Sequence, residues 1–177
     1  SKKGSSYIDN IYVQDADTGE YYHYVEGTLD KYSTSSWSNF TIKERPGYID
    51  VIWYYNAKDQ NRKWIIGYKL HGALSFLPWK DEFYWNSIEE YTKPIDRFIS
   101  TVTVPENNYP TSSFSSWIYT SDANDPLTLI EQNKQGSFFT SNVSPYGKIT
   151  IAYGWPKGIV DRGAFWREWL KTNRYYF

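Results

Sequence analysis

The stretch Tyr48-Ile49-Asp50-Val51-Ile52-Trp53-Tyr54-Tyr55 decides how the rest of the chain is read. Ile49, Val51 and Trp53 alternate with Asp50, Ile52 and Tyr54. A period of two puts one set against a core and the other on a partly aromatic surface. Immediately before it, Glu44-Arg45-Pro46-Gly47 offers Pro-Gly for the centre of a type II turn. Residues 40–43 form the run on the far side of that turn. The pair reads as a β-hairpin.

The same pattern extends outward. Residues 7–13 and 20–26 flank Asp15-Ala16-Asp17-Thr18-Gly19, two strand-like runs around a turn with Gly19 free to take positive φ. Residues 63–70 follow a polar turn, so a meander of about five strands by residue 70 is expected. Further on, Phe98, Ser100, Val102 and Val104 alternate up to Pro105, and short strands are expected over 117–120, 127–131, 137–140 and 148–153. Two segments read as helices. Residues 81–91 start at a capping Asp81, with Phe83, Ile88 and Tyr91 roughly one-sided; residues 161–171 carry Ala164, Phe165, Trp169 and Leu170 as a stripe. The expected fold is mainly β: an antiparallel β-sandwich or open barrel, with a short middle helix and a C-terminal helix on one face or edge. Residues 1–6 read as a disordered lead and 7–177 as a single β-rich domain. An internal boundary, if there is one, falls in the Asn-, Pro- and Ser-rich residues 105–116.

Composition bounds the function. The chain holds 18 Tyr, 9 Trp and 9 Phe against 15 Ile, 7 Leu and 7 Val, so rings must serve as both core and surface. With 19 basic and 20 acidic residues, long-range attraction to nucleic acid or anionic lipid is weak. The absence of cysteine excludes disulfides, thiolate metal sites and cysteine nucleophiles. No apolar run reaches the length of a membrane span, so none is expected. A first residue Ser1, with no initiator Met, points mildly to export and an extracellular or surface location, secreted or virion-associated.

Few motifs carry chemistry. Asp15, Asp17 and Glu26 imitate positions 1, 3 and 12 of a calcium loop, but Gly19 stands one place early and the flanks are strands. A tight hairpin with acidic residues is the better reading; no cofactor is expected, with calcium the one weak candidate. His23 and His71 are too few for a three-histidine zinc site, and no G-x-S-x-G, Walker A or G-x-G-x-x-G occurs.

The interleaved rings remain as the one signal. Trp37, Trp53, Tyr55, Trp85 and Trp117 are the expected ligand-stacking positions, with Asn39 and Asn124 as polar partners. These residues suggest a non-catalytic extracellular or surface binding module for carbohydrate. One alternative is a self-assembling structural protein, such as a virion, appendage or surface-layer subunit, using its aromatic C-terminus. The other is a glycoside hydrolase drawing two carboxylates from Glu20, Glu26, Glu44, Asp50 and Glu168. The partners expected are a glycan or another protein, with homo-oligomers allowed, and neither nucleic acid nor a membrane span.

Overall fold

The computed structural model describes residues 7–161, apart from 47, 90 and 122–123. The chain divides into two compact units, one ending at His71 and the other beginning at Gly72. Residues 105–116 lie inside the second unit.

The N-terminal unit holds β1 (Tyr7–Asp15), β2 (His23–Tyr24), β3 (Asn39–Arg45), β4 (Tyr48–Tyr54) and β5 (Trp64–His71). The Asp15–Gly19 turn forms, with Asp15 N–H donating to Glu20 and Tyr22 N–H to Val13. The expected meander does not. β1 pairs along its length with β5, antiparallel, with a bulge between Asp9 and Tyr12 where Asn10 takes a positive φ. The short β2 leaves β1 and pairs parallel with β3, which forms the expected hairpin with β4, Arg45 opposite Tyr48. Val51 and Trp53 join Val13, Tyr22, Phe40, Ile11, Ile42 and Trp64 in one core, as their alternation requires. The opposite face of β3–β4 is less open than its pattern suggests. Residues 25–38 cover it: buried Thr41 donates to the Gly27 carbonyl at 2.6 Å and the Tyr54 hydroxyl to the Leu29 carbonyl at 3.2 Å.

The C-terminal unit comprises β6 (Leu74–Phe76), β7 (Asp81–Ile88), β8 (Ile95–Val102), β9 (Ser115–Thr120), β10 (Asn124–Ile130), β11 (Gly136–Val143) and β12 (Ile149–Trp155). They form two antiparallel sheets, ordered β6-β7-β12-β9 and β10-β11-β8. Ile151, Tyr153 and Trp155 of β12 share a core with Phe83 and Trp85 of β7, Phe98 and Val102 of β8, and Phe138 of β11. Tyr153 is its hub, with ring centroids 6.0 Å from Phe114, 6.3 Å from Phe138 and 6.1 Å from Trp155. Its hydroxyl donates to the Lys134 carbonyl at 2.7 Å, which lets a phenol sit in a core.

The all-β class therefore stands, and among the described residues no sheet closes into a barrel. The middle helix is a correction. Residues 81–88 are strand β7, whose Phe83 and Trp85 face inward while Glu82, Tyr84 and Asn86 face outward. Asp81 opens this strand as a buried ion-pair partner of Lys157, not as a helix cap. Period-two ring placement across a sheet outweighed the local capping signal. The helix expected over 161–171 falls almost wholly outside the described residues.

Candidate functional site

The outer face of the four-stranded sheet of the C-terminal unit is shaped by its central strand. β12 reads Ile149-Thr150-Ile151-Ala152-Tyr153-Gly154-Trp155, so its inward residues are large and its outward ones small. Ala152 lies between Tyr84 of β7 and Trp117 of β9, Thr150 between Asn86 and Tyr119, and Gly154 between Glu82 and Ser115. The result is a trough with a small-residue floor and aromatic walls; Tyr84, Trp117 and Tyr119 are exposed while Ala152 and Gly154 are buried. Lys80 closes one end. Its Nζ meets Glu82 Oε2 at 2.5 Å and stands 4.7 Å over the Trp117 ring. A Cβ on Gly154 would come within 2.7 Å of Ser115 Oγ and 3.1 Å of Lys80, so this end of the floor admits only glycine without displacement.

Each unit also carries an apolar groove between its sheets. In the N-terminal unit Ile8, Ile11, Ile49, Val51, Trp53 and Ile66 line about 250 Å³. In the C-terminal unit Leu74, Phe83, Val102, Val104, Trp155 and Val160 line about 420 Å³. Each contains a tryptophan whose Nε1–H is buried without an acceptor among the described residues, Trp53 in one and Trp155 in the other. Buried donors usually find partners, so both are exceptions that ask for a reason.

The expected ligand-binding residues are distributed over both units. Trp37, Asn39, Trp53 and Tyr55 belong to the N-terminal one, Trp85, Trp117 and Asn124 to the other. Trp37 is exposed beside Asn39, whose Nδ2 donates to the Trp37 and Ser35 carbonyls and so shapes its own loop. Tyr55 and Trp53 both lie against Trp64, at 4.4 and 5.9 Å. Trp85 faces the core and stacks near Phe83. Trp117 is the one that borders the trough, and Asn124 opens β10. The floor residues and Lys80 escaped the sequence reading. Their signal was the alternation of Thr150, Ala152 and Gly154 with large apolar residues.

The acidic turn is a structural device. Asp15 is buried, its Oδ1 accepts from Asp17 N–H at 2.9 Å and Thr18 N–H at 3.0 Å, and its Oδ2 is paired with Arg62. Burial pushes the Asp15 carboxyl up, but the two N–H groups and the guanidinium together pull it below the usual range. Its oxygens are thus committed to the turn and to Arg62. Among the described residues no group of three metal-ligating side chains converges. Of the carboxylates considered for hydrolysis, Glu20, Glu26 and Glu44 are exposed, Asp50 pairs with Arg45 at 2.8 Å, and Glu168 lies outside the described residues. Glu44 stands opposite Ile49 and Lys43 opposite Asp50, so Glu44 and Asp50 are not cross-strand partners.

No curated protein and no solved structure matches the chain. Among the described residues no helix is long and apolar enough to cross a membrane. Residues 5–155 nevertheless match a family described as a predicted membrane protein N-terminal domain. That match overturns the reading as a free extracellular carbohydrate-binding module, together with its alternatives of assembly subunit and glycoside hydrolase. It equally overturns the expected partners, a glycan or another protein without a membrane span. In coarse terms a surface location agrees with it. The match takes in most of both units, and the chain belongs to the family of predicted membrane protein (DUF2207) N-terminal domains.

Proposed function

We propose that this chain is the water-exposed β region of a membrane protein and works at the membrane surface, where its exposed tyrosines and tryptophans meet the lipid headgroup layer. One observation carries the reading: the sorting of rings by polarity. Among the described residues the large hydrophobic side chains left exposed include many Tyr and three Trp but no Phe. Rings with an O–H or N–H are at home where one end is apolar and the other wet, and they gather at membrane interfaces for that reason.

The end of the C-terminal unit from which the chain continues is the favoured contact. Trp79, 74% exposed, lies in the bend just before β7, two residues from Asp81, which pairs in register with Trp155 at the end of β12. At the same end the exposed Tyr109 donates its hydroxyl to the Lys157 carbonyl at 3.0 Å. A domain that precedes a membrane-embedded part would present this end to the bilayer. Because positive and negative charges balance, contact would rest on ring partitioning and not on lipid charge. Attachment to the membrane raises the effective concentration, so weak contacts suffice.

The test is quenching of tryptophan fluorescence by brominated phosphatidylcholine vesicles, with and without phosphatidylserine. Quenching that is the same on both vesicle types, is unchanged by salt and falls in Trp79→Ser supports the proposal. Absence of quenching at high lipid, or quenching found only with phosphatidylserine, overturns it.

A further inference from the structure

The trough on the outer face of the four-stranded sheet takes its width from strand spacing. Tyr84 and Trp117 both stand opposite Ala152, one on each side of β12, so two strand separations, roughly 10 Å, part them. Both rings are exposed, and the floor between them is the methyl group of buried Ala152. A cation midway would stand roughly 5 Å from each ring, inside the range of about 6 Å over which a ring face attracts positive charge. Exposed Tyr119, two residues further along β9, adds a third ring beside Thr150, whose Oγ1 donates to Asn86 Oδ1 at 2.9 Å. One ring already receives a cation, since Lys80 Nζ lies 4.7 Å over Trp117. The same Nζ lies 3.2 Å from where a Gly154 Cβ would stand. Gly154 is two residues along β12 from Ala152, which sets the Lys80 ammonium roughly 7 Å from the point between the rings.

We propose that this trough binds the headgroup of a zwitterionic phospholipid, with its ammonium between Tyr84 and Trp117 and its phosphate on Lys80 Nζ. Charge complementarity selects that occupant. The ring faces attract a cation and repel an anion, whereas Lys80 attracts an anion and repels a cation. A ligand that carries both charges a short chain apart satisfies the two together. The Lys80 ammonium has three N–H donors, and the one given to Glu82 leaves others for phosphate oxygens. Because Glu82 offsets Lys80, this end of the trough has no net charge to draw a singly charged lipid. A quaternary ammonium meets the rings with methyl groups, which fills the gap with apolar contact. The inference rests on the membrane-surface reading and names the lipid chemistry that surface would meet, for Lys80 directly follows the exposed Trp79 assigned to the bilayer.

Glycerophosphocholine, a headgroup without acyl chains, is the probe, titrated into the isotope-labelled full chain and followed by nuclear magnetic resonance. Saturable shifts of the Trp117 indole N–H and of the Lys80 and Ala152 amides are expected. Glycerol phosphate and tetramethylammonium, which each carry one of the two charges, should bind several-fold more weakly. Lys80→Met separates the halves: glycerophosphocholine should weaken several-fold while tetramethylammonium strengthens, because the repelling ammonium is gone. A lysine with a merely structural role would shift both ligands in the same direction, and that result would overturn the proposal. So would the absence of any shift at millimolar glycerophosphocholine in a chain with dispersed signals, or an equal response to tetramethylammonium. The probe needs no bilayer, so the two readings fail separately. A negative titration beside intact vesicle quenching overturns headgroup recognition alone, and a positive titration without quenching overturns surface contact alone.

Discussion

Lys157 Nζ donates to Asp81 Oδ1 at 2.5 Å, joining the residue that opens β7 to a lysine two positions past the end of β12. The Asp81 side chain is 1% exposed and that of Lys157 34%, so the aspartate bears the cost of burial and the lysine relieves it. The same strands already pair, Trp155 against Asp81. The ion pair therefore locks the register at the end from which the chain leaves the unit.

Removing the lysine alone leaves a buried carboxylate without its cation. Lys157→Met is expected to destabilise the C-terminal unit by about 2 kcal/mol, since the lysine is partly solvated and its pairing is weaker than a fully buried one. Asp81→Asn combined with Lys157→Met should cost less than the two single changes added together. Urea unfolding of the four proteins measures the coupling, and strict additivity would show that the contact contributes nothing.

Two glycines lie under tyrosine rings, but the rings differ in freedom. A Cβ at Gly67 would fall 2.1 Å from Cε1 of Tyr12, which is exposed and can swing away. A Cβ at Gly136 would fall 2.5 Å from Cδ2 of Tyr153, which is enclosed by Phe114, Phe138 and Trp155. Gly136→Ala should therefore cost about 3 kcal/mol, in the upper range for overpacking, and Gly67→Ala under about 1 kcal/mol. Equal losses of thermal stability would contradict this account of the Tyr153 site.

Burial pushes the Tyr153 phenol up to about 12. A folded value above the unfolded one of about 10 means that this stabilisation is complete below pH 10 and is lost as pH rises toward 12. Tyr153→Phe should lose about 1 kcal/mol at neutral pH, because the Lys134 carbonyl loses its donor. The gap between the two proteins should narrow across that alkaline window. Unfolding midpoints measured from neutral pH to pH 12 check the sign.

Asp15 gives the opposite slope. Its folded value is depressed, so its contribution is present above the unfolded carboxylate value of about 3.9 and disappears as pH falls through the folded value. Asp15→Asn should be less stable than the parent at neutral pH, with the gap closing in acid below about pH 4. A gap that persists to the lowest pH would assign the effect to turn geometry instead of charge.

Local rules read from the chain itself determined most strand positions. The alternation in 48–55, the Asp15–Gly19 turn and the Phe98–Val102 run all lie where period-two patterning and turn residues put them. Partner choice was not local. β1 meets its hairpin neighbour at the Gln14–Tyr21 bridge beside the turn but pairs along its length with β5, because Val13, Trp64 and the β3–β4 rings share one core that forms only when distant segments meet. Residues 81–88 held both a helical capping signal and a strand alternation, and only the neighbouring β12 and β6 decided between them.

The site divides in the same way. Composition alone established that rings must lie on the surface and that no cysteine chemistry operates. Which rings are exposed could not be read locally, since Trp85 and Trp117 look alike in sequence yet one faces a core and the other borders a trough. Exposure depends on which face of a strand is covered, and that is settled by sheets made of residues far apart in the chain. The Trp155 N–H, without an acceptor among the described residues, is the plainest case: a donor's partner is a matter of three-dimensional neighbours, so only the tertiary structure makes it visible.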